Sequence, residues 1–278
     1  MFKMKLFPIQ KIVKDAGFGA SVPIIIQANN TEYLLKTKED GMQPYSLGIF
    51  NELLAYQLID YLDYDITPQE VVFLYIDNNF LEMAEVAYKE GIIKEESYQN
   101  IVESLGVNIG IEYLHNAMEP LDGKINNNKF IQDIVHIDNY MMNCDRTEKN
   151  INILQDKKDL RRYYAIDFGN ALSDGILYEK ILENSIDIFS TGTFSECNVT
   201  LSNRYILKEE TKKLVKKGRI NKDNISTIRQ VLSDIIDTFP PEWKPIEYKD
   251  AILDVVSTRL KSRKIFNREK NSQCECLY

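Results

Sequence analysis

Asp145 and Asn150 are separated by Arg146, Thr147, Glu148 and Lys149. At this spacing an aspartate can accept or orient the proton of an attacking hydroxyl while the asparagine amide oxygen holds a magnesium ion, the division of labour of phosphoryl transfer. The spacing alone says little, because D-x4-N also occurs at Asp122/Asn127 and Asp138/Asn143. Context separates the three. Asp138 and Asn143 fall in a helical pattern (Phe130, Ile131, Ile134, Ile137, Tyr140, Met141), which predicts solvated or capping roles for both. Asp122 belongs to Asp122-Gly123-Lys124, where a turn role is the default. Asp145 leaves the helix and leads straight into two short apolar runs, 151–154 and 163–166, joined by the polar stretch 155–159. The second run ends in Ala165-Ile166-Asp167-Phe168-Gly169. A carboxylate at the end of an apolar strand, followed by a small residue, is placed to meet a cation beside bound phosphates. A strand-end turn explains Asp167 alone equally well. Joined to Asp145 and Asn150 across a hairpin, it becomes part of the strongest signal in the chain.

Two features of the N-terminal half could grip a nucleotide. Gly17-Phe18-Gly19-Ala20-Ser21 sits between two strand-like runs, where backbone N–H groups could cover phosphate oxygens. It is a fragment of a G-x-G-x-x-G pattern, and a plain hairpin turn accounts for it as well. Lys36 closes the run Tyr33-Leu34-Leu35-Lys36, in which strand alternation puts Leu34 and Lys36 on one face. A lysine there either emerges at an edge or meets an anion. Glu52, on a helix beginning near Leu47, is a plausible partner that would turn Lys36 towards phosphates. An exposed strand-end lysine and a solvated helix glutamate are the alternative.

The elements that must carry these residues follow from hydrophobic period. Residues 9–13, 22–26 and 32–36 read as strands, with Asn29-Asn30 as a hairpin signal. Phe50, Leu53, Leu54, Leu58 and Leu62 describe one face of a helix over 49–62. A strand at 71–76 then runs into an Asp77-Asn78-Asn79 turn. From about residue 95 the pattern predicts mainly helix, at 95–105, 127–142, 176–190, 203–217, 223–238 and 247–263, with the 151–166 hairpin inserted. The expectation is an α+β fold of two unequal lobes: a sheet with one helix over 1–115, and a helical lobe with the catalytic segment and hairpin over 116–278.

Composition sets the outer bounds. Hydrophobic residues make up 44% and charged residues 27% of the 278, ordinary for a globular protein. Forty-two acidic against 34 basic side chains give a net charge of −8, which argues against a nucleic-acid-coating surface. Four scattered cysteines (Cys144, Cys197, Cys274, Cys276) and two histidines (His115, His136) suit neither a disulfide framework nor a structural zinc site. The longest apolar run, 71–76, is far short of a membrane span, and no signal-peptide core follows Lys3 and Lys5. A cytoplasmic protein without a membrane partner is expected.

In chain order these parts are a glycine turn, a strand lysine, a helix glutamate, D-x4-N, a hairpin and D-F-G, the part list of a protein-kinase-like phosphotransferase. The wording of residues 19–23, 33–36, 51–54 and 143–152 resembles the HipA-like kinases, in particular a bacterial subgroup with a D-R-T-x-x-N-x-N catalytic segment. The resemblance covers residues 12–175. It implies a bilobal kinase-like fold using ATP and Mg²⁺, with Asp145 as catalytic base and Asn150 and Asp167 as metal ligands. Lys36, paired with Glu52, is then the phosphate contact, and Gly17, Gly19 and Ser21 belong to the phosphate cover. A protein hydroxyl of serine/threonine type is the implied acceptor, the protein itself included, and a regulatory partner protein is compatible with the family. Departures are visible. Asn143-Cys144 precedes Asp145 in place of His-Arg, Thr147 stands where many protein kinases carry a lysine, and no A-P-E follows Asp167-Phe168-Gly169 within thirty residues. The adenine-contacting hinge has one candidate, residues 108–113. Two other readings remain: a small-molecule kinase on the same scaffold, and a nucleotide-binding regulator without turnover.

Overall fold

The computed structural model describes residues 4–17, 22–38, 47–67, 69–121, 125–141, 143, 146, 150–171, 225–243 and 249–254. Gly19, Ser21, Asp145, the four cysteines and the helices expected at 176–190 and 203–217 lie outside the described residues.

Six strands form one sheet in the order β1-β5-β6-β4-β3-β2, where β1 is Leu6–Pro8, β2 Lys11–Asp15, β3 Ile24–Ala28, β4 Thr31–Lys36, β5 Val71–Ile76 and β6 Gly106–Glu112. Only β1 runs parallel to its neighbour, with Leu6 opposite Phe73. The β3–β4 hairpin turns at Asn29 and Asn30, both at positive φ (46° and 63°). That is the mirror-image turn which matches strand twist and which asparagine tolerates.

Each face of the sheet is covered. Val72, Leu74 and Ile76 of β5 join Ile24, Ile26, Tyr33 and Leu35 beneath α2 (Asn78–Lys89) and α3 (Glu95–Glu103). Phe73 of β5, with Ile109 and Ile111 of β6, faces α1 (Leu47–Tyr61). The run Val-Val-Phe-Leu-Tyr-Ile is continuous rather than alternating because its strand is buried on both sides. Three helices therefore accompany this sheet: α1 and α3 fall where helices were expected, at 49–62 and 95–105, and α2 was not foreseen. Asp77 does not make a turn: its carboxylate accepts the Phe80 N–H at 2.8 Å and caps α2, whose Phe80, Ala84 and Ala87 face inward.

Strand β6 falls between the helices expected at 95–105 and 127–142, in a stretch where the period reading named no strand. Its Ile109 and Ile111 alternate with Asn108 and Gly110, a period of two partly hidden by glycine and asparagine. Gly110 is required by packing: a Cβ there would stand 2.6 Å from Leu74 Cδ1 and 3.2 Å from Tyr33 Cβ, on the two flanking strands. The residues offered as a hinge thus form a central strand, which leaves the sheet at Tyr113.

Helix α1 also departs from expectation. Besides the predicted face, Ile49, Asn51, Glu52, Ala55, Tyr56 and Ile59 are buried, so the helix is enclosed on nearly all sides. The sheet covers one side. On the other stand α4 (Asn128–Met141), α5 (Ile225–Ile236) and a second sheet, β7-β8-β9 (Ala117–Met118, Ile153–Asp156, Tyr163–Ala165), all within one apolar cluster. The strands β8 and β9 are the hairpin expected from the sequence.

Candidate active site

Three elements converge on one ammonium group. Lys36 ends β4, Glu52 lies in the second turn of α1, and Asp167 follows β9 by two residues. The Lys36 Nζ stands 2.8 Å from Asp167 Oδ1 and 3.3 Å from Glu52 Oε2. Lys36 and Asp167 are 131 positions apart in the chain, so only the tertiary fold brings them together.

The three groups differ in exposure, and that difference sorts their chemistry. Side-chain exposure is 0% for Glu52, 13% for Lys36 and 36% for Asp167. Glu52 is sealed in, and burial lifts its carboxyl to about 7 despite the opposing pull of Lys36 and of the Phe168 N–H, which it accepts at 2.9 Å. Its other oxygen, Oε1, is buried without a hydrogen-bond partner among the described residues. Burial also acts on Lys36 and would pull it down, but the two carboxylates outweigh it and hold the ammonium form. Asp167 likewise resists its own burial: Lys36 keeps its carboxyl below the ordinary range, so it is ionised, and it is the most exposed of the three.

The backbone at Asp167 is unusual. Its φ is +60°, in the left-handed region that non-glycine residues seldom occupy, and Asn152, which bonds the preceding Ile166, has φ +46°. Arg146, which sequence reasoning did not single out, fixes both. It is 0% exposed and donates from Nη1 to the Ile166 carbonyl at 2.9 Å and to the Asn152 carbonyl. Its Nε meets Asp138 Oδ2 at 2.7 Å, and its guanidinium lies 4.9 Å from the Phe168 ring centre. The Ile166 N–H closes the loop by donating to the Asn152 carbonyl at 3.0 Å. One buried side chain thereby joins the residue after Asp145, the segment following Asn150 and the residue before Asp167.

This network corrects the reading of Asp138 and Asn143 as solvated or capping residues. Both are 0% exposed, and the Asn143 amide donates to Asp138 Oδ1 at 3.1 Å. Burial pushes the Asp138 carboxyl up, while Arg146 and Asn143 hold it down. A signal was available. Ile131, Ile134, Asp138 and Met141 share one face of α4, and a carboxylate on an apolar face needs a buried cation.

The remaining expected residues fall as follows. Gly17 has φ +77° and donates its N–H to Asp15 Oδ1 at 2.7 Å, making a tight turn after β2. Asn150 lies three residues before β8, on the stretch that Arg146 anchors through Asn152. Asn127, from the first D-x4-N copy, caps α4 through Phe130 N–H at 3.0 Å. Asn51 beside Glu52 was quoted only as part of a motif, yet its amide donates to the Gly169 and Ala171 carbonyls at 3.2 and 2.7 Å. It ties α1 to the segment beyond Asp167. Phe168 is packed between Arg146 and the ring edge of Tyr56, at 5.6 Å.

A carboxylate and an amide are hard oxygen donors that suit magnesium. Among the described residues no group of three or more His, Cys, Asp or Glu gathers into a protein-only cage. Magnesium does not need one, since it keeps waters and takes phosphate oxygens. The residues therefore fit a metal carried in with phosphates.

No family model matches the chain, and no curated protein sequence does. A solved structure does: the proinflammatory kinase CtkA of Helicobacter pylori superposes with a TM-score of 0.51 at 16% identity, over 93% of this chain and 98% of that one. The fold is kinase-like. A Golgi casein kinase superposes with a TM-score of 0.47 at 13% identity, over 94% of this chain and 75% of that one. The α+β, bilobal kinase-like expectation is thus met. Among the described residues no helix is long and apolar enough to cross a membrane.

Proposed function

We propose that the chain is an ATP- and magnesium-dependent phosphotransferase, a HipA-like kinase of serine/threonine type that acts on a protein hydroxyl, its own included. The observation that carries this reading is the meeting of Lys36, Glu52 and Asp167 on one ammonium group, beside a hairpin strapped to the Asp145 segment by Arg146.

Each residue has a separate task. Lys36, held in its charged form, binds α- and β-phosphate oxygens, and Glu52 keeps its side chain aimed outward. Asp167 and Asn150 are the groups that would hold magnesium, which neutralises charge on the phosphates when bound. The backbone N–H groups of the stretch from Gly17 to Ser21 would cover the phosphates. Asp145 takes the proton of the acceptor hydroxyl as its oxygen bonds to the γ-phosphorus. The bond from that phosphorus to the β,γ-bridging oxygen breaks, and ADP leaves with the electron pair. Catalysis is positioning and charge neutralisation rather than covalent chemistry. The net charge of −8 repels ATP at long range, so Lys36 and the metal carry more of the binding.

Calorimetry of ATP binding with and without Mg²⁺ tests the assignment. Asp167→Asn should weaken the magnesium-dependent part at least about tenfold, a loss already typical when a residue that merely supports a metal ligand is removed. An unchanged Mg²⁺ requirement removes Asp167 from the metal site. Absence of ATP binding in the parent protein overturns the reading.

A further inference from the structure

Behind the Lys36–Glu52 pair lies a contact that no role above uses. The turn Pro241–Trp243, which follows α5, reaches across to the start of β6. The Trp243 indole N–H donates to the Val107 carbonyl at 2.9 Å, and Glu242 Oε1 accepts the Val107 N–H at 2.6 Å. Both backbone groups of one strand residue are therefore taken by side chains of a distant segment, in the way a neighbouring strand would take them.

The surrounding chain is shaped for this contact. Gly106 has φ +105°, and a Cβ on it would lie 2.3 Å from Glu242 Oε1. Lys38, two residues beyond Lys36, is fixed at the same place. Its N–H donates to Asn108 Oδ1 at 2.8 Å, and its Nζ donates to the Leu105 carbonyl at 2.5 Å and stands 4.0 Å from Glu242. Asn108 is fully buried and donates to the Ser104 and Gly106 carbonyls. The end of the lysine strand, the start of β6 and the turn are thus one hydrogen-bonded unit.

The same turn holds the glutamate helix. Trp243 is 1% exposed and meets Phe73 edge-on at 5.8 Å and Phe239 at 5.7 Å. Phe239 in turn meets Phe50 at 4.7 Å, and Phe50 lies two residues before Glu52 on α1. From one turn, hydrogen bonds run to β6, the sheet neighbour of the strand that carries Lys36, and edge-to-face aromatic rings run to the helix that carries Glu52.

We propose that Glu242 and Trp243 are positioning residues: a built-in bracket that keeps Lys36 and Glu52 paired without an activating modification or partner to push α1 into place. Only the use made of that pair rests on the phosphotransferase reading; the bracket itself is read from the ligand-free protein.

The test compares Glu242→Ala, Glu242→Gln and Trp243→Phe with the parent chain. Three readouts are taken: hydrogen exchange of peptides spanning residues 47–61, the rate at which an amine-acylating reagent modifies Lys36, and the Mg-ATP dissociation constant against kcat. Loss of one of these hydrogen bonds should raise α1 exchange and Lys36 acylation by about three- to tenfold. The Mg-ATP dissociation constant should rise with them while kcat at saturating ATP holds. Glu242→Gln keeps an acceptor oxygen for the Val107 N–H and should restore all three. If Glu242→Ala and Trp243→Phe lower the melting temperature while α1 exchange and Lys36 acylation stay at parent values, the turn supplies bulk stability only and the proposal is overturned. If the parent binds no Mg-ATP, the phosphotransferase reading falls, and exchange and acylation of the free protein still decide the bracket.

Discussion

Replacing Arg146 by methionine removes a cation from a place where nothing else can satisfy its partners. Arg146 and Asp138 both have side chains with 0% exposure, so the variant leaves Asp138 as a buried carboxylate without its cation. Breaking a buried pair from one side costs about 3–5 kcal/mol. The carbonyls of Ile166 and Asn152 lose their guanidinium donor as well, although these losses overlap and do not simply add. For a chain of this size each kcal/mol moves the melting temperature by about 2–4 °C, so Arg146→Met should lower it by about 6–20 °C. Urea unfolding of Arg146→Met, Asp138→Leu and the double variant measures the coupling. Removing both charges should recover at least about 2 kcal/mol, because an apolar pair of similar volume replaces a buried ion pair at little cost. Turnover should not recover with stability, since the backbone beside Asp167 still lacks its strap. A loss below about 1 kcal/mol in Arg146→Met, or a double variant no more stable than the single, refutes the reasoning.

Two further outcomes concern stability. Glu52 has a folded carboxyl raised to about 7, above its unfolded value, so its contribution is complete below about pH 4.5 and is lost as pH rises through 7. Glu52→Gln cannot titrate, and the parent should therefore lose stability relative to it between about pH 4.5 and 7, at no more than about 1.4 kcal/mol per pH unit; parallel urea-midpoint profiles would falsify the buried-acid assignment. Gly110→Ala drives a methyl group into Leu74 and Tyr33 and should cost about 1–3 kcal/mol in thermal or urea unfolding, whereas a neutral result means that β6 is not clamped between β4 and β5 as described.

Part of the candidate site's geometry was legible because it is written in short, local patterns. Asp167 announced itself by ending an apolar strand, and Lys36 by sitting on an apolar strand face. The partner inferred for Lys36, Glu52, stands 3.3 Å from it. What stayed hidden has a common physical cause: periodicity reports how much of an element is buried and not which other element buries it. Helix α1 read as one-faced because Glu52, Asn51 and Tyr56 are polar, yet these are the groups its enclosure serves. Strand β6 was obscured by Gly110, whose lack of a side chain is the condition for its central place. Arg146 was not singled out, because its counter-charge Asp138 was itself read as solvated or capping, eight residues earlier on the inner face of α4. The bracket from Glu242 and Trp243 to Val107 spans more than 130 residues, and no local pattern encodes a contact of that range.

The most direct test of phosphoryl transfer is incubation of the purified chain with Mg²⁺ and γ-labelled ATP, with Asp145→Ala alongside, followed by intact-mass and phosphopeptide analysis. Label on a serine or threonine of the parent, reduced about a hundred- to ten-thousandfold in Asp145→Ala while ATP still binds, is the predicted result. Equal labelling of both proteins contradicts Asp145 as the base, and no transfer by the parent to protein or water contradicts the phosphotransferase itself.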